Sequence, residues 1–332
     1  MTRITRFSIT ALTAFAFAIV GGAPAWADQG TVLKYSQRPG YLVDPTDMLL
    51  SGENIASDVD WNRVSLASPT FPPPQPDWII ADDFRDPFNT PVLTIRWWGS
   101  YIGPTFLDTG TPLGNLPIFG PGSEDGYVFS FFTDKPVDPV QPFSRPDQLL
   151  ATYVAPFNVV KVTSTGQMGW DDHEIFQYEV NLQDTHLEHA VAGIADPIGF
   201  NQQPGEVYWL AINAEVGHTI VKVTNADGTV SWVEQDTGKF AAPNPNDPLN
   251  PDGHFWGWHT SPEKFNDVAT MGDLRMGPNG EWIYPQQDWR PIQPNHGLND
   301  MAFQLLTVPE PASVALIGIG SLLAIKRRKE AL

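Results

Sequence analysis

The chain has no cysteine. That excludes disulfides, thiolate metal centres and cysteine nucleophiles, so packing and hydrogen bonding must hold the fold. Positive charge is scarce: 19 Lys and Arg stand against 38 Asp and Glu in 332 residues, a net charge of −19. Such a surface repels nucleic acid, whose binding rests on neutralising phosphates, and it repels anionic lipid. No amphipathic stretch of ten or more residues repeats its apolar positions at helical spacing. There is no GxSxG, so no serine triad can be argued. What is abundant is turn and core material: 32 prolines, 28 glycines, 12 tryptophans and 42% hydrophobic residues. That composition describes a packed, turn-rich chain with few long helices.

The two ends differ from the middle. Arg3 and Arg6 precede an apolar stretch from Ile9 to Val20, and Ala25-Trp26-Ala27 fits small-x-small cleavage by signal peptidase. Residues 1–27 are therefore expected to be a signal peptide with a signal helix, removed ahead of Asp28. At the other end, Val308, Pro309, Glu310 and Pro311 lead into fourteen uncharged residues, 312–325, followed by Lys326, Arg327, Arg328 and Lys329. Prolines stop any helix from running through them. Fourteen helical residues reach roughly 21 Å, short of the ~30 Å of a bilayer core, though snorkelling basic stems extend the reach. The basic cluster fits a membrane stop. A buried helix of the globular domain is the plainer alternative, but core helices are amphipathic and this run is apolar all round.

The VPEP motif, apolar run and basic end resemble the PEP-CTERM sorting signal of Gram-negative bacteria. The resemblance implies export, a transmembrane segment over 312–325, and recognition of Pro-Glu-Pro by exosortase. It implies a membrane-held protein destined for the cell surface or exterior.

Setting aside the six basic and two acidic residues of these ends leaves 13 basic against 36 acidic residues in between. This middle section, 28–307, reads as strands. Thr31–Ser36, Val92–Tyr101, Tyr127–Thr133 and Met301–Leu306 are short apolar runs. Leu149–Val154 and Val159–Thr163 are expected to pair with each other. In His173–Leu182, Phe176, Tyr178, Val180 and Leu182 alternate with polar or outward residues, the pattern of a half-buried strand. Glu206–Ala214 is apolar on both faces and so is expected to be central. TIVKVT and TVSWVEQ flank Asn225-Ala226-Asp227-Gly228, which predicts a hairpin. Pro262–Val268 is expected to make one or two helical turns. The sum is an all-β fold, an antiparallel β-sandwich of jelly-roll-like form with long loops.

A second set of motifs recurs through this section: KYSQ at 34–37, ADDF at 81–84, RWWGS at 96–100, VYWL at 207–210, FWGWHT at 255–260 and NDMAF at 299–303. In this order they resemble an uncharacterised bacterial extracellular β domain found on PEP-CTERM proteins. Tyr35 stands where that family has tryptophan, and Trp256 is extra. The resemblance carries no chemistry.

Candidate site residues follow from residue type. Asp82 and Asp83 ahead of a strand suit calcium at a sandwich edge, or simply accept backbone donors. Asp171 and Asp172, with His173 and Glu174, form the densest ionisable cluster; oxygen donors suit calcium, a histidine suits zinc, and a solvated loop is the plain alternative. The Asn244–Gly253 loop is oxygen-rich but lacks the closing glutamate of an EF-hand. His186 and His189 lack metalloprotease spacing. Trp256, Trp258 and His259 are candidates for gripping sugar rings, or else plug the ends of the sandwich. The expected function is a non-catalytic binding or structural module associated with exopolysaccharide. A metal-assisted extracellular hydrolase on the same scaffold is the competing reading.

Overall fold

The computed structural model describes residues 31–43, 54–60, 77–101, 120–169, 173–237, 256–276, 282–285, 288–292 and 300–307. The signal and transmembrane helices expected at 1–27 and 312–325 lie outside these residues. Among the described residues no helix is long and apolar enough to cross a membrane. One compact unit spans Leu33–Thr307.

That unit is all-β. The first strands are β1 (Val32–Gln37), β2 (Asn54–Ala56), β3 (Asp58–Asp60), β4 (Asp77–Arg85) and β5 (Thr94–Tyr101). The middle of the chain forms β6 (Gly126–Lys135), β7 (Arg145–Pro156), β8 (Lys161–Met168), β9 (Glu174–Asn181) and β10 (His186–Ala190). Two short strands, β11 (Ala195–Asp196) and β12 (Gly199–Phe200), precede β13 (Val207–Val216), β14 (His218–Thr224) and β15 (Val230–Asp236). The chain closes with β16 (Trp256–Ser261), β17 (Thr270–Met276), β18 (Trp282–Ile283), β19 (Arg290–Pro291), β20 (Asp300–Met301) and β21 (Phe303–Thr307).

Two large sheets result. In the eight-stranded sheet β5 is central: β9 lies along one edge, and β21 and β16 share the other. The nine-stranded sheet runs β10-β7-β6-β13-β4-β17-β18. Its pairs are antiparallel except β3, which lies parallel to β13. The outermost strand at one side of each sheet, β8 and β10, carries a register shift: between Ser164 and Gln167 in β8, and between Leu187 and His189 in β10.

The sheets face each other through aromatic side chains. Trp97 of β5 lies 5.2 Å from Tyr127 and 5.0 Å from Phe129 of β6, both edge-on, and stacks on Tyr178 at 5.3 Å. Phe131 stacks on Phe200 at 4.1 Å. Each such pair adds about 0.5–1.5 kcal/mol beyond burial. The arrangement is sandwich-like.

The outer face of the larger sheet is covered too. Ile79 and Ala81 of β4, Trp209 and Ala211 of β13, and Leu274 of β17 pack with Trp289. This second layer explains why β13 is apolar on both faces. It sits between β6 and β4, central as its composition predicts.

The β14–β15 hairpin forms a two-stranded sheet of its own. Gly228, with φ of 81°, supplies the left-handed turn residue. Two local expectations fail. Residues 149–154 and 159–163 do not pair: β7 bonds β6 and β10, while β8 bonds β9 in the other sheet. The 3-10 turn Phe157–Val159 makes the crossing, anchored by its first N–H on the Asp125 carbonyl at 2.9 Å. Residues 262–268 are not helical. There the Glu263 and Phe265 N–H groups donate to the side chains of Ser261 and Asp300 instead of building helical bonds, and Asn266 takes a positive φ of 49°.

Candidate functional site

The motifs scattered along the sequence converge in space. KYSQ lies in β1, ADDF in β4, WGWHT in β16, and DMAF in β20 and β21. Alternation along β4 puts Asp82 on the face of Ile80 and Phe84, and Asp83 on the face of Ala81.

Asp82 is fully buried. One carboxylate oxygen accepts the Asp83 N–H at 2.9 Å and the other accepts the Met301 N–H at 2.7 Å. Asp83 is equally buried. Its Oδ2 accepts the Asn266 amide at 2.7 Å, and its backbone carbonyl accepts the Tyr35 hydroxyl at 3.2 Å. Asp300 of β20 joins them, accepting the Gln37 amide at 3.0 Å and the Phe265 N–H at 2.8 Å. The ring of Tyr35 packs against Phe84, Phe265 and Phe303.

Burial dominates the electrostatics here. It pushes Asp82 well above the usual carboxylate range, with Asp300 and Asp83 adding repulsion and two backbone bonds opposing. It raises Asp83 to about 8 and Asp300 to about 6, against the pull of their hydrogen bonds.

The other motif residues are buried as well. Trp256, Trp258 and His259 have no exposed surface. Trp256 donates to the Tyr178 hydroxyl at 3.3 Å, and Trp258 to the Ala302 carbonyl at 3.0 Å. Trp256 also fills the space beside Gly99, where an added Cβ would meet its ring at 2.5 Å. An indole with no exposed face offers a sugar nothing to stack on in this conformation. Asp171, Asp172 and the Asn244–Gly253 loop lie outside the described residues. Among the described residues, no group of three or more His, Asp or Glu has an arrangement that holds a metal ion. His186 and His189 lie on a strand, β10, with a bulge between them, not on a helix.

Another buried carboxylate gave no signal in the sequence. Glu124 accepts hydrogen bonds from Tyr101 at 2.7 Å and Tyr127 at 2.9 Å on one oxygen. Burial raises its pKa against those two bonds. Asp300 could have been found: it stands in the NDMAF motif, beside the apolar run that becomes β21.

None of these acids faces solvent. Asp82 and Asp83 are 0% exposed, and Asp300 and Glu124 1%. As arranged, they accept hydrogen bonds that tie strands together.

A family model described as a domain of unknown function, DUF7901, matches residues 33–247. The model of the PEP-CTERM protein-sorting motif matches residues 307–329. No curated protein matches, and no solved structure matches. The sorting motif marks an exported protein handled by exosortase and directed to the cell surface. The chain therefore belongs to the DUF7901 family of domains of unknown function and ends in a PEP-CTERM sorting motif.

Proposed function

We propose that this protein is a non-catalytic structural or binding module of the cell surface or extracellular matrix. Its working part is a jelly-roll-like sandwich over residues 28–307, freed by signal peptidase after Ala27. The apolar segment 312–325 and the Lys326–Lys329 cluster hold it in the membrane until exosortase acts at Pro309-Glu310-Pro311. Exopolysaccharide is the partner class this setting favours.

One observation carries the reading. The most distinctive residues of the chain, Tyr35, Gln37, Asp82, Asp83, Trp256, Trp258 and Asp300, point into the protein and bond its strands to one another. Enzymes place their reactive groups where substrate can reach them. Residues used this way keep a shape.

The test is to incubate the purified full-length protein with a polysaccharide panel, with and without calcium, following retention and the release of reducing ends. Retention without release, or neither, supports the module. Release of reducing ends that needs the metal would replace this reading with the metal-assisted hydrolase.

A further inference from the structure

Lys34 of β1 meets Asp86, the residue just past β4, inside the fold. Lys34 Nζ lies 2.5 Å from Asp86 Oδ2, and neither side chain has exposed surface. The carboxyl group is held at both oxygens. Oδ1 accepts the Phe88 N–H at 2.9 Å, and Oδ2 accepts the Gln202 amide. Behind them, the Asp86 backbone carbonyl accepts the Gly205 N–H at 2.9 Å. Lys34 Nζ also donates to the Thr90 carbonyl and, at 2.9 Å, to the Thr90 hydroxyl.

Where water is excluded, charge is disfavoured. Passing one proton from ammonium to carboxylate leaves a neutral amine against a neutral acid. Burial does lower the proton affinity of Lys34, against the hydrogen bond and charge of Asp86. An amine and a carboxylic acid in contact are the two reactants of an amide. The carboxyl carbon is one bond beyond Oδ2, so a small rotation gives the ~3–3.5 Å approach of a reactive conformer. Reactants fixed this way gain an effective concentration on the order of 10⁵–10⁸ M. Gln202 points the same way. Its Oε1 is a buried acceptor with no partner among the described residues, beside the oxygen that has to leave. A carboxylate offers it no hydrogen, whereas a carboxylic acid or a departing water does.

We propose that Lys34 and Asp86 condense in the folded protein to an intramolecular amide bond, releasing one water. One ammonium proton passes to Oδ2, and Gln202 holds that oxygen as the proton arrives. Nζ then adds to the Asp86 carboxyl carbon. The carbonyl electron pair moves onto Oδ1, where the Phe88 N–H steadies it. A second proton passes from Nζ to Oδ2. The pair on Oδ1 re-forms the double bond, the bond from carbon to Oδ2 breaks, and Oδ2 leaves as water. Nζ keeps its last hydrogen, and nothing is oxidised or reduced. Among the described residues no second carboxylate pairs with Lys34 to speed the transfers, so the step is slow beside folding. A freshly folded chain holds the ion pair, and an aged one holds the bond. The link closes a loop from β1 to the end of β4, in an exported chain that has no cysteine for disulfides.

The experiment is peptide mass mapping of the full-length chain, folded in mild detergent, sampled over a week at neutral pH, then denatured and digested with trypsin. The expected product is a branched peptide joining the Lys34 and Asp86 segments. It is one water lighter than their sum, shows no cleavage after Lys34, and grows with time. Linear peptides alone at the end overturn the proposal. So does equal linkage in a chain kept in urea throughout, because the fold is then not the cause. Lys34→Met/Asp86→Leu should give linear peptides only; the same branched mass there places the link elsewhere and overturns the assignment. Gln202→Ala should slow linkage about tenfold or more. Gln202→Glu, which sets an acid beside Oδ2, should restore it. An unchanged rate in both variants overturns the part given to Gln202.

Discussion

Lys34 and Asp86 form an ion pair 2.5 Å long with neither side chain exposed to solvent. Lys34 also donates to the carbonyl and hydroxyl of Thr90, and Gln202 donates to Asp86. The pair fastens β1 to the turn that follows β4. A buried pair adds little over an apolar replacement, but a half-removed one is costly. Lys34→Ala should therefore lose about 3–5 kcal/mol, read from the urea midpoint. The double variant Lys34→Met/Asp86→Leu should recover much of that loss. Equal destabilisation of single and double variants would show that the pair is not the cause.

Gly99 leaves its space to Trp256. An added Cβ would also lie 2.6 Å from the Gly257 carbonyl, backbone that cannot swing away. Gly99→Ala should cost about 1–3 kcal/mol in thermal or urea unfolding, the usual price of overpacking. A Tm unchanged within error would mean that β5 and β16 are further apart than described.

Glu124 makes a different prediction. Removing one hydroxyl donor with Tyr127→Phe loses a bond to a buried acid, about 1.5–3 kcal/mol. Glu124→Gln keeps an acceptor for both tyrosines and removes the charge that burial disfavours. Because its folded pKa is raised, the stability Glu124 contributes is present at low pH and declines as pH rises. The variant should gain on wild type in alkaline buffer and not in acid, measured by Tm at both.

The family match ends at residue 247, yet the core does not. β16 and β21 flank β5, and β17 flanks β4. A chain ended at residue 247 removes these neighbours and uncovers Trp97, Phe84 and Ile95. It should be insoluble or molten by near-ultraviolet dichroism, whereas a chain ended after Thr307 should unfold cooperatively. A folded 247-residue product would place the domain boundary earlier than the packing does.

Much of the architecture was legible in the residues because strands announce themselves locally. The alternation in Glu174–Asn181, the turn at Asn225–Gly228 and the two-faced apolarity of β13 each need only neighbours in sequence. Partnership does not. Residues 149–154 and 159–163 look alike and lie close in the chain, but a single turn between them carries the chain from one sheet to the other. The candidate site was half legible. Asp82 and Asp83 read as acids at a sandwich edge, for calcium or for backbone donors, because carboxylates rarely enter cores; the backbone donors are there, but inside the fold. What admits them is a Met301 N–H and an Asn266 amide some two hundred residues away. Trp256 and Trp258 carry the same composition whether they serve a sugar or a core; only the opposing sheet decides.

The bulges in β8 and β10 bear on life in a crowd. A regular exposed edge strand presents unpaired amides and carbonyls on which a neighbouring molecule can build another strand. Each bulge kinks that template at the side of its sheet where a newcomer would dock. At those two edges a neighbouring molecule meets an interrupted ladder instead of a regular one.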